Sequence, residues 1–169
     1  MAVMCIKYVG AKKIYMTFGT AYHTGDKEDF ESLIAKAVGA ENIGAHEWLD
    51  INGNIVDIKH HIGNSSVPYG EYMAVAKDKL HNELWAIHDE QPKADIIIRS
   101  HVHKYRQISD GYVTAMTTPA LQGMGSKFGS RRCSGRVDFG FVVIDFDEKG
   151  GYTCKPYIAK VAAQKARAI

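Results

Sequence analysis

The run Ala94-Asp95-Ile96-Ile97-Ile98 constrains the fold more than any other part of this chain, because successive isoleucines read as a strand buried inside a layered α/β domain. Arg99-Ser100-His101-Val102-His103 follows directly, so two imidazoles stand where that strand ends. Groups at the ends of such strands face the crevice in which layered α/β folds do their chemistry. Side chains two apart on an extended strand share a face, so the pair can converge on metal ions only where the backbone turns. Imidazole is the commonest neutral ligand for zinc, iron and manganese-type centres.

The 169 residues suit one domain, residues 1–169, with a sizeable core; 46% are hydrophobic and 24% charged, the balance of a globular protein. A net charge of +2 gives no electrostatic reason to expect a nucleic-acid or membrane-surface protein. Cys5, Cys133 and Cys154 have no Cys-x-x-Cys spacing, so neither a disulfide framework nor a cysteine zinc site is indicated, and a reducing, cytoplasmic setting is the simplest expectation. No run approaches transmembrane length, and the apolar start is too short for a signal peptide.

Periodicity predicts a short helix over 2–9 closed by Gly10, a strand over 13–18, and a helix over 26–38 capped by Thr24 or Asp26 and stopped at Gly39. Asn52-Gly53 between the alternating stretches 45–51 and 54–60 predicts a hairpin. A second amphipathic helix is expected over 71–89, then strands over 95–98 and 111–116, a long loop over 117–134, and a hairpin of 138–147 with 151–160. Trp48 and Trp85 read as core or interface residues. The spacing of Gly123, Gly125 and Gly129 does not lead a strand into a helix, so no dinucleotide site is read there.

Three places put histidines or small polar residues just after a predicted strand: Gly19-Thr20-Ala21-Tyr22-His23, His60-His61-Ile62-Gly63, and His101-Val102-His103. If the three strands are parallel neighbours, five of the eight histidines gather on one rim. His46, His81 and His88 fall on a hairpin face and a helix face and read as ordinary surface or packing residues.

This order resembles the second half of the calcineurin-like metallophosphoesterase family, where Gly-Asn-His-Asp/Glu, a histidine before glycine, and Gly-His-x-His follow strands in that sequence. The match runs from about Lys12 to Gly140, with Ser100-His101-Val102-His103 as the last motif and Thr118-Pro119 as the segment after it. The resemblance implies a partial four-layer αββα sandwich, a mixed β-sheet with flanking helices, and a divalent metal centre of manganese, iron or zinc. It implies that His60 and His101 bind one metal, His103 the other, and that His23 protonates the leaving group or steadies transition-state charge. His61 stands where the family has glycine and is the alternative ligand to His60. Thr20 stands where the family has a metal-binding asparagine. The family's Asp-x-His and Gly-Asp motifs have no counterpart among the eighteen residues before Gly19.

The activity implied is metal-dependent hydrolysis of a phosphomonoester or phosphodiester, nucleotides and nucleic acids included, by this chain or by a larger fold of which it is the C-terminal half. Arg131 and Arg132, with Lys127 and Arg136, read either as phosphate-binding residues or as solvated loop charges. Two other readings stand beside this one: a non-catalytic remnant acting as a binding or structural module, and a mononuclear three-histidine zinc hydrolase. A strand set of this kind expects a covering layer over Ile14, Met16, Ile55, Ile58, Ile96 and Ile98. Its partner is then a second chain carrying the Asp-rich half, or another copy of this one.

Overall fold

The computed structural model describes residues 1–20, 29–65, 67, 69–123 and 137–162. Asn52 and Gly53 both take left-handed backbone, at φ 52° and 82°, which is the pair a type I′ turn requires. They join β3 (His46–Ile51) to β4 (Asn54–Lys59) in the expected antiparallel register, Ile51 opposite Asn54 and His46 opposite Lys59. The Asp50 carboxylate closes the turn by accepting from the Gly53 N–H at 2.9 Å.

Two further elements precede this hairpin. Helix α1 (Ala2–Val9) ends at Gly10 in left-handed conformation and lies against α2 (Phe30–Val38). Helix α2 takes Asp29 as its N-cap, with Asp29 Oδ1 accepting from the Ser32 N–H at 2.9 Å, and the expected caps Thr24 and Asp26 lie outside the described residues. Strand β1 (Tyr15–Thr17) precedes α2, and β2 (Asn42–Gly44), which periodicity did not reveal, follows it and pairs with β1 in parallel.

The main sheet has the order β3-β4-β5-β7-β6, where β5 is Ile96–Arg99, β6 Arg106–Ser109 and β7 Thr114–Thr117. Strands β4, β5 and β7 run parallel, and the edge strands β3 and β6 run against them. Alternation along β5 assigns its two faces. Ile97 packs with Ala115, Ala94 and Val113 under Val75 of helix α3 (Gly70–Ile87). Ile96 and Ile98 face the opposite way with Val56, Ile58 and Met116.

That second face is covered from within the chain. Strands β8 (Gly140–Phe146) and β9 (Tyr152–Ile158) form an antiparallel hairpin whose inward residues Val142, Ile144, Phe146 and Tyr152 close over it. The hairpin tip is fastened to the β3–β4 turn, since Asn54 Nδ2 donates to the Gly150 carbonyl at 3.0 Å. The covering layer expected from a partner is therefore supplied over Ile58, Ile96 and Ile98 by this chain itself, and Ile96 is fully buried. None of the six isoleucine and methionine positions expected to need a cover is exposed. Among the described residues no helix is long and apolar enough to cross a membrane.

Candidate functional site

Because β4, β5 and β7 are parallel neighbours, their carboxyl ends lie side by side and bring His60, Ser100-His101 and Thr118 to one edge of the sheet. Backbone bonds fix this alignment: the Ser100 N–H donates to the His60 carbonyl at 2.9 Å, and the Thr118 N–H to the Arg99 carbonyl at 2.8 Å. The Ser100 and Thr118 hydroxyls share a hydrogen bond of 2.9 Å across the two strand ends.

The turn that convergence of the two histidines requires is present. The Val102 N–H donates to the Ser100 carbonyl at 2.7 Å, closing a three-residue turn centred on His101. His101 has φ 66° and His103 φ 56°, left-handed values that side-chain-bearing residues rarely adopt. Each costs of order ~1–3 kcal/mol, which the surrounding structure must offset. Asp138 does part of this, since its N–H donates to the His103 carbonyl at 2.9 Å and its carboxylate accepts from the Tyr105 N–H at 3.0 Å.

The result is an open cleft of about 330 Å³ lined by His60, His101 and His103, with Glu31 of α2, Thr17 and Gly19 of the β1 end, and the segment Thr118–Gln122. His60 Nε2 and His101 Nδ1 stand 3.3 Å apart, and their rings meet edge to face with centroids at 5.3 Å. Two nitrogens bound to one zinc at 2.0–2.1 Å with a tetrahedral angle are separated by about 3.3–3.4 Å. The contact is a hydrogen bond when one ring carries the proton between them; with both nitrogens bare, the same separation matches two adjacent positions around such an ion. Among the described residues no set of three His, Cys, Asp or Glu side chains stands together as a complete ligand group.

A buried charge network supports this edge from behind. Arg99, the last residue of β5, holds Asp57 of β4 through Nη1 to Oδ1 at 2.6 Å and Nη2 to Oδ2 at 3.0 Å, and its Nε donates to Asp78 of α3 at 2.6 Å. His46 Nε2 lies 2.7 Å from the same Asp57 Oδ1. Burial pushes the Asp57 carboxyl up, but the hydrogen bonds from His46 and Arg99 outweigh it and hold the group below its ordinary value. For Arg99, burial works against the charge and Asp57 and Asp78 more than restore it.

Of the residues expected at the site, His60, His101 and His103 line the cleft together. His61 is exposed, its ring tilted against that of His101 at 5.1 Å between centroids, and is not among the lining residues. Thr20 follows the lining Gly19, and its hydroxyl oxygen is buried with no hydrogen-bond partner among the described residues. His23, Arg131 and Arg132 lie outside the described residues, as do Lys127 and Arg136. His46, expected to be an ordinary surface or packing residue, instead engages the buried Asp57. Sequence reasoning also missed Glu31, a carboxylate on the cleft, whose position depends on how α2 is carried over the β1 end. Asp57 carried a usable signal, as an acidic residue within a run of strand-forming apolar ones.

No protein-family model matches this sequence, and no curated protein matches it. Solved structures do. A double mutant of Vps29 from Entamoeba histolytica is 14% identical over 93% of this chain and 89% of that one, with a TM-score of 0.50. Wild-type Vps29 from the same organism, complexed with zinc, is 14% identical over 92% and 88%, with a TM-score of 0.49. A novel archaeal phosphodiesterase is 16% identical over 91% of this chain and 76% of its own, with a TM-score of 0.48. The chain has the calcineurin-like metallophosphoesterase fold, a mixed sheet with flanking helices.

Proposed function

We propose that this chain, built on the metallophosphoesterase fold, is a metal-dependent phosphoester hydrolase or the part of one that carries its histidine ligands. The observation that carries the reading is the 3.3 Å separation of His60 Nε2 and His101 Nδ1 at the ends of adjacent parallel strands, in an open cleft. The donor set suits manganese, iron or zinc, with His60 and His101 as the adjacent ligands and His103 as the next to be recruited. A bound divalent ion supplies Lewis acidity toward a phosphoryl oxygen and makes water more acidic.

The chain's own residues do the rest. The Ser100–Thr118 hydroxyl pair forms a polar floor able to donate to a phosphate oxygen, and Pro119, Ala120 and Leu121 offer an apolar wall to an esterifying group. His23 is assigned the proton delivered to the leaving oxygen, with Thr20 and His61 as the alternates to a ligand role and Arg131 and Arg132 as receivers of phosphate charge. Glu31 adds one negative charge to the cleft and disfavours the most highly charged substrates.

The alternative reading is a binding module that holds no complete metal centre. Metal analysis of the purified chain together with an aryl-phosphate screen in added manganese separates the two. Bound metal with turnover supports the hydrolase, metal without turnover supports the C-terminal half of one, and neither supports the binding module.

A further inference from the structure

The outer face of α3 carries an apolar stripe that nothing in the site requires. Val75 and Asn82 turn this helix's inner side to the sheet and are buried, whereas Met73, Leu80, Leu84 and Ile87 are 64%, 53%, 46% and 75% exposed, with Tyr69 before them at 78%. Positions 73, 77, 80, 84 and 87 alternate steps of four and three, which is the seam along which two helices pack. Lys77 is its single charged member.

Taking about 200 Å² for a fully exposed large side chain, the five apolar residues leave on the order of 600 Å² in water. Tyr72 on one flank, 47% exposed, brings the face towards the roughly 800 Å² per partner that stable protein pairs bury. A soluble monomer's largest apolar patch is typically about 300–600 Å².

We infer that this face of α3 is a dimer interface with a second copy of the same chain, the two helices antiparallel. Charge chooses the orientation. A parallel pair sets Lys77 against Lys77 and gathers both acidic ends, where Asp89 and Glu90 are exposed, at one place. An antiparallel pair that seats Leu80 on Leu84 of the other copy puts Lys77 level with Ile87 and one turn from the Asp89-Glu90 end, twice by symmetry. It also opposes the helix dipoles favourably. The interface lies on the face of α3 turned away from the sheet, so it is independent of the proposed chemistry.

Sedimentation equilibrium of the full chain across the micromolar range tests this. The wild type is expected to show a concentration-dependent dimer, and Leu80→Glu with Leu84→Glu to raise its dissociation constant about 100-fold or more. Both side chains are exposed, so circular dichroism of that variant should match the wild type. Lys77→Glu should weaken the dimer, and adding Asp89→Lys and Glu90→Lys should restore it. A wild-type monomer throughout the range, which leaves the stripe to a different partner, overturns the inference, as does a dimer undiminished in the Leu80→Glu, Leu84→Glu variant. Failure of the charge exchange to restore association overturns the antiparallel arrangement.

Discussion

Replacing Arg99 by methionine should be among the most damaging single changes to this protein, because it removes the cation while leaving its anion in place. Asp57 is 1% exposed and receives both Arg99 bonds, at 2.6 and 3.0 Å. A buried carboxylate deprived of its partner typically costs about 3–5 kcal/mol, a large part of the roughly 5–15 kcal/mol that holds a domain folded. For a chain of this size that corresponds to a melting temperature lower by roughly 6–20 °C. Replacing both partners, Arg99→Met with Asp57→Leu, should recover most of the loss, since no buried charge is then orphaned. Asp78 and His46 keep 29% and 24% of their side-chain surface in water. The pH dependence follows from the sign of the shift. In the wild type the depressed Asp57 carboxyl contributes stability that is present above its unfolded value near ~3.9 and is lost as pH falls through the lower folded value. In Arg99→Met, burial without the cation raises the folded value, so the deficit against wild type should be largest at neutral pH and shrink in acid as the carboxyl protonates. Urea unfolding followed by circular dichroism at pH 7 and pH 4 measures all of this. A loss below about 1 kcal/mol at pH 7, or a double variant no better than the single, would show that Asp57 does not depend on Arg99 for its burial.

Gly53→Val should destabilise by about 1–3 kcal/mol in the same assay, since a β-branched residue is forced to φ 82°; an unchanged midpoint would contradict the type I′ turn. Metal affinity should fall between pH 7.5 and 5.5 as free imidazole protonates near ~6.5, and equal calorimetric binding at both would count against histidine ligands. His23→Ala should leave metal content nearly intact while lowering turnover by ~10²- to 10⁴-fold, and loss of the metal would instead make His23 a ligand.

The elements legible in the sequence are those whose local pattern and tertiary role agree. The β3–β4 hairpin follows from Asn52-Gly53 alone, and β5 from its isoleucines. Strands β2 and β6 were not legible for opposite reasons. Asn42-Ile43-Gly44 has too few strand formers and is extended only because β1 pairs with it, while Arg106-Gln107-Ile108-Ser109 holds one apolar residue and is an edge strand fixed by β7. The meeting of His60 and His101 was readable from motif order and strand ends, because parallel neighbours align their termini. Glu31 was not, and although Asp57 stands out as an acid in an apolar run its pairing with Arg99 was not either, since these partners lie across elements whose packing no local pattern encodes.

The central claim is that His60 and His101 are two ligands of one divalent ion. Calorimetric titration of zinc and of manganese into the wild type, His60→Ala and His101→Ala at pH 7.5 tests it most directly, with circular dichroism confirming that each variant is folded. The wild type is expected to show a saturable site that either substitution weakens by about 100-fold or more. Absence of binding to the wild type, or affinity unchanged in both variants, would contradict it.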